Sequence, residues 1–497
     1  MNPIQQFNEA NNCFYLDFTG GTFNESIGIT FTDNNIYKAK FNGIVNTVKN
    51  ATTTFPSTID GRITNGASGY ARIFCNKSQV TGISIQLGIS GAGQEIIKDA
   101  RNINLDASFL KQFPKLKQFF FSHYAYSRNE ASLTGKITGD WAANLSPDIE
   151  ILNLEAIDYP NSTATFNLNN IPAESKLKEV IFYRGTSVVL SSYLAVSGDI
   201  SNIPPSCRKL MLGGDRSNIT TNNITGAIPV WVEEFSRLGR NTIDQNLSTL
   251  NPYIRHLSLQ GSNVLSGSIP PTWTNSLNYL KILGKNTVSG TIPDLALCSN
   301  IHIEGNNTLS GNIPVLQSCK ELTIRGNNNM SGSIDIDTCL PSIDTLIIAG
   351  NNTISGVVKT TDKKFSVAIT GNNTISAIES LPNCTSFTIS GKNTLTGNIF
   401  SLIPSAITIN IAGNNTLNDY SSQSFKANMS YVNIAGRAVL TQPMVDQLLT
   451  DLAATSWLSN GTKVISIKGL CEAPSQVGLD AIAILSNNTN KVTVFTN

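Results

Sequence analysis

The sequence predicts a mainly β solenoid of the α/β class, in which short coils of chain stack and each adds one strand to a parallel sheet. Three observations predict this fold. A phrase of about ten residues recurs at intervals of 20 to 24 residues from position 261 onward. A short segment of alternating apolar and polar residues precedes each copy. The composition, with 57 Asn and 14% charged residues among 497, indicates one uniform architecture rather than several unrelated domains.

The recurring phrase has three fixed positions. It begins with Gly, and in all eight copies Asn follows two residues later and an apolar residue four residues later. The leading glycines are Gly261, Gly284, Gly305, Gly326, Gly350, Gly371, Gly391 and Gly413. The asparagines are Asn263, Asn286, Asn307, Asn328, Asn352, Asn373, Asn393 and Asn415. Because an Asn side chain carries both a donor and an acceptor, stacked copies predict an asparagine ladder that bonds backbone groups where water cannot reach.

The segments before the glycines have the pattern of half-buried strands. In HLSLQG, YLKILG and NIHIEG the residues four and two before Gly are apolar. Alternate side chains of a strand point to opposite faces, so these apolar residues are predicted to point inward. No single coil can enclose its own apolar face, and the coils must therefore stack, with neighbouring strands about 4.8 Å apart.

The repeats divide the chain into four predicted segments. Residues 251–430 hold the regular repeats, and weaker copies with longer return segments extend upstream over 79–250. Residues 431–497 are predicted to form a closing cap with two helices, at 441–454 and 475–486. Residues 1–78 lack the phrase and alternate between apolar and polar residues, which predicts a small β-rich module. This module either caps the first coil or docks the solenoid to a larger particle.

The phrase L-x-I-x-G-N-N-T-L-S-G-x-I-P resembles the leucine-rich repeat whose turns read N-x-L-S-G-x-I-P, although the link between strand and Asn is one residue longer here. The resemblance implies a leucine-rich-repeat parallel sheet of about 15 coils. The tail, with LTQPMVDQLLTDLAA followed by TKVISIKGLCEAPSQVGLDAIAIL, resembles the closing segment of leucine-rich virion proteins. Those are tail-fibre or structural proteins of bacteriophages of gut bacteria, including the crAss-like phages. This second resemblance implies a tail-associated subunit that contacts the host surface or other virion proteins.

Composition and motifs exclude several classes of function. The formal charge of +1 leaves no electrostatic footprint for a nucleic acid or an anionic membrane, and no apolar run is long enough to span a bilayer. No secretory signal is recognisable in the first residues. The eight Cys are too sparse for a disulfide scaffold, and neither they nor the three His have metal-site spacing. We therefore expect no metal and no cofactor. Cys298, Cys319 and Cys384, each seven residues before a repeat Gly, are predicted to be small buried side chains.

Paired carboxylates are the one candidate for catalysis. Asp335 and Asp337 alternate in SIDID, with Asp344 and Glu304 as possible neighbours. Glycosidases need two carboxyl groups about 5–9.5 Å apart, one of them with a raised pKa. The sequence offers no reason for that arrangement, so these residues are predicted to be solvated turn residues and the protein to be no enzyme.

The outward side of the repeat sheet is the predicted working surface, because solenoids bind along their concave face. Its outward residues lie three and one before each Gly, and they are polar and charged in the first half and small and neutral in the second. A neutral strip suits packing against protein or hydrogen bonding to glycan. The candidate binding residues are Ser258, Gln260, Lys281, His302, Glu304, Thr323 and Arg325.

The leading functional hypothesis is a non-enzymatic structural component of a phage tail that binds a host-surface glycan or protein, or other virion proteins, through the repeat surface. It would be assembled in the host cytoplasm, reside in the virion as a homo-oligomer, and dock through residues 1–78 with the repeats projecting. Two alternatives stay open at this point: a leucine-rich adhesin of a bacterial surface, and a polysaccharide-degrading tailspike.

Overall fold

The computed structural model describes most of the chain beyond residue 76 and, before it, the course of the strands but not their side chains. The described residues are 13–19, 25–31, 37–41, 44–48, 57–61, 69–74, 77–87, 102–123, 136–155, 163–182, 191–192, 194–215, 223–239, 241–359, 365–392, 395, 398–412, 417–434, 438–458, 462–487 and 490–497.

The chain divides into two compact units. The first comprises Met1–Gln245 and Ser258–Asn263, and the second comprises Asn246–Leu257 and Val264–Asn497. The four segments predicted from the sequence stay a prediction.

Antiparallel strands open the first unit. They are β1 (Cys13–Thr19), β2 (Glu25–Phe31), β3 (Tyr37–Phe41), β4 (Ile44–Val48), β5 (Ser57–Gly61) and β6 (Gly69–Phe74). β6 pairs antiparallel with β1 and β3. β2 pairs antiparallel with β5 and with β7 (Val80–Leu87), the first strand of the parallel stack. β2 therefore covers an edge whose backbone groups would otherwise be open to pairing with another chain.

The first unit then continues as stacked coils with two sets of strands. The main parallel sheet includes β7, β9 (Gln118–His123), β11 (Ile151–Glu155), β13 (Glu179–Ile181), β16 (Lys209–Asp215) and β18 (Glu234–Leu238). The shorter strands are β8 (Asn102–Asp106), β10 (Lys136–Thr138), β12 (Thr165–Asn167), β14 (Ser191–Ser192), β15 (Ala195–Asp199), β17 (Ile224–Thr225) and β19 (Asp244–Asn246). β20 (His256–Gln260) follows, and its first two residues, His256 and Leu257, belong to the second unit.

The second unit has a main sheet of ten parallel strands in its described part. They are β22 (Tyr279–Gly290), β23 (Asn300–Gly305), β25 (Glu321–Arg325), β27 (Thr345–Ala349), β29 (Phe365–Thr370), β31 (Cys384–Ile389), β32 (Thr408–Ile411), β33 (Tyr431–Asn433), β34 (Val464–Ser466) and β35 (Thr493–Phe495). Each pairs with the next in parallel. The number of coils in the structure differs slightly from the 15 predicted from the sequence. The predicted fold class, a mainly β solenoid with a parallel sheet, is confirmed.

The core lies on the inner side of this sheet. The residues four and two before each repeat Gly are 0% or 1% exposed, for example Leu280, Ile282, Ile301 and Ile303. Full burial of such a side chain stabilises the fold by about 1.5–3 kcal/mol. Since the strands are in register, each apolar side chain lies over its counterpart in the next coil, as Ile301 does over Leu322.

The phrase after each Gly forms strands of its own rather than only a turn. They are β21 (Val264–Ser268), the last residues of β22, β24 (Thr308–Gly311), β26 (Asn329–Asp335), β28 (Thr353–Lys359) and β30 (Thr374–Ile378). They pair in parallel from coil to coil, so that each of these coils contributes two stretches of strand, one before and one after the Gly-x-Asn sequence.

Four of the repeat asparagines in the described bends each join three consecutive coils. The Oδ1 atom of Asn328 accepts the N–H of Leu309 in the coil before it at 3.2 Å, and its Nδ2 donates to the carbonyl oxygen of Ala349 in the coil after it at 3.3 Å. Asn286, Asn307 and Asn352 make the same pair of bonds at 3.0–3.4 Å. The side chains of Asn263, Asn286, Asn307, Asn328, Asn352 and Asn373 are 0% exposed, whereas Asn393 and Asn415 lie outside the described residues.

The leading Gly of the repeat is fixed by the coil before it. Gly326 has φ +146°, and a Cβ atom there would lie 2.5 Å from the carbonyl oxygen of Gly305. Gly350 has φ +150° and the same distance to the carbonyl oxygen of Gly326. Only Gly combines that backbone conformation with such a close approach.

Helices close the second unit where the sequence predicts them. They are α2 (Gln442–Ala453) and α3 (Gln476–Ser486), and one further turn, α1 (Ile336–Cys339), follows β26. Val445, Leu448, Leu449 and Leu452 of α2 are buried. The Ser475 side chain caps α3, and Asp446 of α2 accepts the Ser475 N–H at 2.9 Å, which ties the two helices together. No helix in the described ranges is long and apolar enough to span a bilayer.

The asparagine ladder predicts that two adjacent asparagines differ in their contribution to stability. Replacing Asn328 with Ala removes both inter-coil bonds and leaves a buried N–H and a buried C=O unpaired, at about 1–3 kcal/mol for each group. Asn327 is exposed, so Asn327→Ala is the matched control and should change the stability by less than about 0.5 kcal/mol. Urea unfolding followed by circular dichroism measures both. Equal unfolding midpoints for the two variants would contradict the role assigned to Asn328.

The close approach of the repeat Gly to the coil before it leads to a second prediction. Gly290 has φ +78°, and a Cβ atom there would meet only the Ser268 Cβ, at 3.3 Å. Gly290→Ala should therefore cost about 1–2 kcal/mol, the usual penalty for a left-handed residue. Gly326→Ala should cost more, because the Gly305 carbonyl cannot move without shifting the coil. The same urea titration compares them, and a smaller loss at Gly326 would show that the coils are not in close contact there.

Candidate functional site

The candidate site is the outward face of three neighbouring strands in the second unit. We call its nine side chains the polar patch: Tyr279, Lys281 and Leu283 of β22, Asn300, His302 and Glu304 of β23, and Glu321, Thr323 and Arg325 of β25. They point outward because the residues between them are the buried core positions. The register sets Lys281, His302 and Thr323 side by side in one row across the strands.

Both carboxylates of the polar patch have partners. Nε2 of His302 lies 2.8 Å from Oε1 of Glu304, and Nε of Arg325 lies 3.4 Å from the same oxygen. Nδ2 of Asn300 donates to Oε2 of Glu321 at 2.6 Å, and Nδ1 of His302 lies 3.9 Å from Oε1 of Glu321. These contacts join β23 and β25 and orient the five polar side chains that make them.

Lys281 differs from the other charged residues of the patch. It is half-buried, and within the described residues its ammonium group has neither an ion pair nor a hydrogen bond. The four formal charges of the patch sum to zero, but two of them are carboxylates already engaged by Arg325, His302 and Asn300. The positive charge of Lys281 is therefore left available to a ligand.

Two aromatic rings lie at the edge of the polar patch. His256 of β20 and Tyr279 stack with ring centroids 4.6 Å apart and planes 4° from parallel. Both side chains are half-buried. Tyr279 and Lys281 are alternate residues of one strand, and so their Cα atoms are about 6.6–6.8 Å apart on the same face.

The structure places the predicted binding residues on two different units. Lys281, His302, Glu304, Thr323 and Arg325 belong to the polar patch. Ser258 and Gln260 belong to the segment that groups with the first unit.

Two predicted binding residues lie on the outward face but are covered. Ser258 and Thr323 are 4% and 1% exposed, so they offer a ligand little surface. A small side chain on this face is covered by longer neighbours, and Thr323 lies between Glu321 and Arg325 on its own strand and beside His302 on the next.

Sequence reasoning missed the outermost residues of the patch. Tyr279, Asn300 and Glu321 lie five residues before the repeat Gly, whereas the sequence analysis assigns only the positions three and one before it to the outward face. Continuing the alternation by one more step would have found all three.

Beyond the polar patch the outward face becomes neutral. The outward side chains of β27 and β29 carry no charge and are small or aliphatic: Thr345, Ile347, Ala349, Ser366, Ala368 and Thr370. All are half-buried. This neutral strip matches the sequence expectation and continues the patch along the sheet through paired strands.

The candidate catalytic carboxylates lie in different elements, and one of them caps a helix. Asp335 caps α1, where its Oδ1 accepts the N–H of Thr338 at 3.3 Å. Asp337 lies in the first turn of α1, whereas Glu304 belongs to the outward face of β23. No group of three His, Cys, Asp or Glu in the described part of the chain is arranged to hold a metal ion.

The thiols occupy the core positions predicted for them. Cys298, Cys319 and Cys384 are 0% exposed and unbridged, and each donates its S–H to the carbonyl oxygen two residues later at 3.1–3.2 Å. Cys207 of the first unit is buried in the same way. Burial raises the pKa of each of these four thiols to about 12.

No family model matches the chain, and no curated protein matches it. Solved structures do. The structure of PEPR1 with AtPEP1 superimposes with a TM-score of 0.52 at 16% identity, over 84% of this chain and 58% of that one. The plant peptide hormone receptor RGFR1 with RGF2 gives 0.43 at 17% identity, over 79% and 70%. The leucine-rich-repeat ectodomain of the Arabidopsis receptor kinase HAESA with an IDA peptide gives 0.35 at 15% identity, over 78% and 76%.

The comparison with PEPR1 bears on the fold alone. The chain spans just over half the length of the PEPR1 chain. The likeness and the two-stranded coils confirm the predicted leucine-rich-repeat type of parallel solenoid.

The thiol environment predicts the order in which the cysteines react. Only the thiolate is alkylated, so Cys207, Cys298, Cys319 and Cys384 should stay unmodified by iodoacetamide at pH 8 while Cys339, which is partly exposed, reacts. Peptide mass spectrometry measures each site, with protein unfolded in urea as the control in which all react. Because folding keeps the buried thiols protonated, their contribution to stability is complete below about pH 9 and is lost as the pH rises toward 12. Rapid native labelling of Cys319 would contradict the described core.

Proposed function

We propose that the protein is a non-enzymatic binding component of a bacteriophage tail, which attaches to the surface of the host cell through the polar patch and the neutral strip. The virion would be its location, and neighbouring virion proteins would be its further partners. The proposal combines the outward face of the second unit with the resemblance of the closing segment to leucine-rich virion proteins.

The observation that carries the binding role is the set of contacts among the polar side chains of the patch. Its carboxylates are already held by Arg325, His302 and Asn300, while Lys281 has no partner in the described part of the chain. A patch whose side chains are already ordered loses little conformational entropy when a partner binds. The parallel sheet beneath it is tied from coil to coil, so the patch has a rigid support.

The surroundings of the acidic residues support a role without catalysis. A glycosidase needs two carboxyl groups on either side of a scissile bond. Asp335 is engaged as a helix cap, and Glu304 is engaged by His302 and Arg325. We therefore expect purified protein to release no reducing ends from host capsule. Cleavage that is lost in Asp335→Asn would overturn this part of the proposal.

The binding role predicts a difference between two charge-reversal variants. The variant Lys281→Glu/Arg325→Glu reverses both cations of the polar patch. The variant Lys285→Glu/Lys392→Glu makes the same change of charge at two exposed lysines that directly follow a repeat Gly, away from the outward face of the main sheet. Labelled wild-type protein and the control variant should adsorb to host cells and compete with phage particles, and the patch variant should adsorb at least tenfold less.

Three results would contradict the proposal. One is equal adsorption by the two variants, and another is adsorption by neither wild type nor variants. The third is absence of the chain from gradient-purified particles, determined by mass spectrometry. A chain found instead on the outer surface of bacteria that carry no phage would favour the alternative of an adhesin.

A further inference from the structure

The imidazole ring of His302 lies between two carboxylates of the polar patch. Its Nε2 is 2.8 Å from Oε1 of Glu304 on the same strand, and its Nδ1 is 3.9 Å from Oε1 of Glu321 on the next strand. The side chain of His302 is 20% exposed, so the ring is largely enclosed by its neighbours. Histidine is the side chain that ordinarily changes its charge between pH 5 and 8. A proton that binds here therefore acts on two strands at once.

The two contacts of the ring cannot both be hydrogen bonds while the ring is neutral. An ionised carboxylate only accepts hydrogen bonds, and a neutral imidazole has one N–H donor and one bare nitrogen that accepts. The shorter contact, with Glu304, assigns the N–H of the neutral ring to Nε2. The bare Nδ1 then directs its lone pair toward Glu321, which has no proton to donate. A proton on Nδ1 turns this repulsive contact between β23 and β25 into an ion pair.

Charged groups of both signs surround the ring, on its own strand and on the strands at either side. Two of them are cations and two are carboxylates, so the charges of the patch sum to zero while His302 is neutral. A proton on the ring leaves the patch with a net charge of +1. The side chains that face the ring are those of Tyr279, Lys281 and Leu283 on β22, Asn300 and Glu304 on β23, and Glu321, Thr323 and Arg325 on β25.

We propose that His302 is a pH switch of the polar patch, which at acidic pH holds Glu304 and Glu321 together across two strands and makes the patch positive. An anionic ligand favours the protonated ring, and by the same coupling the protonated ring favours the ligand. The affinity for an anion therefore rises as the pH falls. The switch rests on the proposed function, since it regulates the surface that is proposed to bind the host cell.

The first test follows the proton by NMR in full-length protein that is isotope-labelled in His and Glu. The chain has three His, so single His→Gln variants assign the ring signals, and Glu321→Gln assigns the carboxyl signal of Glu321. In a titration from pH 8 to pH 6, we expect the Glu321 carboxyl signal to shift together with the ring signals of His302. In His302→Gln the Glu321 signal should stay in place, because a carboxyl group itself titrates at lower pH.

The second test measures how the switch affects the binding of an anion. Dextran sulfate is the probe because its sulfate groups stay ionised throughout this pH range, and uncharged dextran is its control. Binding of the full-length protein to each immobilised polymer is measured by interferometry at pH 7.5 and pH 5.5. We expect dextran sulfate to bind about three- to tenfold more tightly at the lower pH, the size of one added charge near a protein surface. Dextran should not bind at either pH.

Matched variants separate His302 from the other groups that titrate. His302→Gln keeps a side-chain donor but no titrating proton, so its affinity for dextran sulfate should be the same at both pH values. His302→Lys stays positive and should bind at both as tightly as the wild type does at pH 5.5. His123→Gln removes the histidine of β9 and should keep the pH dependence of the wild type. Circular dichroism checks that each variant is folded.

The outcomes distinguish this inference from the proposed function. A Glu321 signal that does not shift in the wild type, or shifts equally in His302→Gln, overturns the switch. Equal pH dependence of binding in the wild type and His302→Gln also overturns it, as does no binding to dextran sulfate at either pH, even if the protein adsorbs to host cells. Absence of adsorption to host cells at both pH values overturns the proposed function instead.

Discussion

The structure of the second unit depends on one interaction, the bonds of a buried Asn side chain to the coils on either side of it. A bend after each main strand leaves backbone N–H and C=O groups that no strand pairing satisfies, and such groups are costly when water is excluded. Asn is short enough to fit inside the bend and carries both an acceptor and a donor. Asn307, for example, accepts from Val288 and donates to the carbonyl oxygen of Arg325. The coils around Asn286, Asn307, Asn328 and Asn352 are therefore joined to their neighbours at this bend as well as along the main strand.

This constraint connects the repeat to function. The bend fixes where one strand ends and the next begins, so the outward side chains recur at the same place in every coil. Their identity is then free to vary, because the core needs only the inward positions. In β22, β23 and β25 the free positions hold charged and aromatic residues, and in β27 and β29 they hold Thr, Ser, Ala and Ile. One scaffold thus carries a polar patch and a neutral strip side by side.

The sequence predicts those features of the structure that depend on the spacing of the repeat. The fold class, the inward residues, the buried thiols and the two closing helices follow from spacing and apolar pattern. It does not predict pairings that depend on side-chain reach across coils, such as Asn300 with Glu321, or the burial of Thr323 beneath longer neighbours. Nor does it show that the phrase after the Gly forms strands, because Asn, Thr and Ser are typical of turns and only stacking makes the extended conformation favourable.

Native-state hydrogen exchange tests the central claim most directly. The amide N–H groups of Leu265, Val288, Leu309 and Met330 have asparagine oxygens of the following coil as acceptors. If the ladder holds the coils together, these amides exchange as slowly as those in the middle of the main strands, since they open only when neighbouring coils separate. If they exchange as fast as the amides of freely exposed loop residues, the bonds do not persist in solution and the account is wrong.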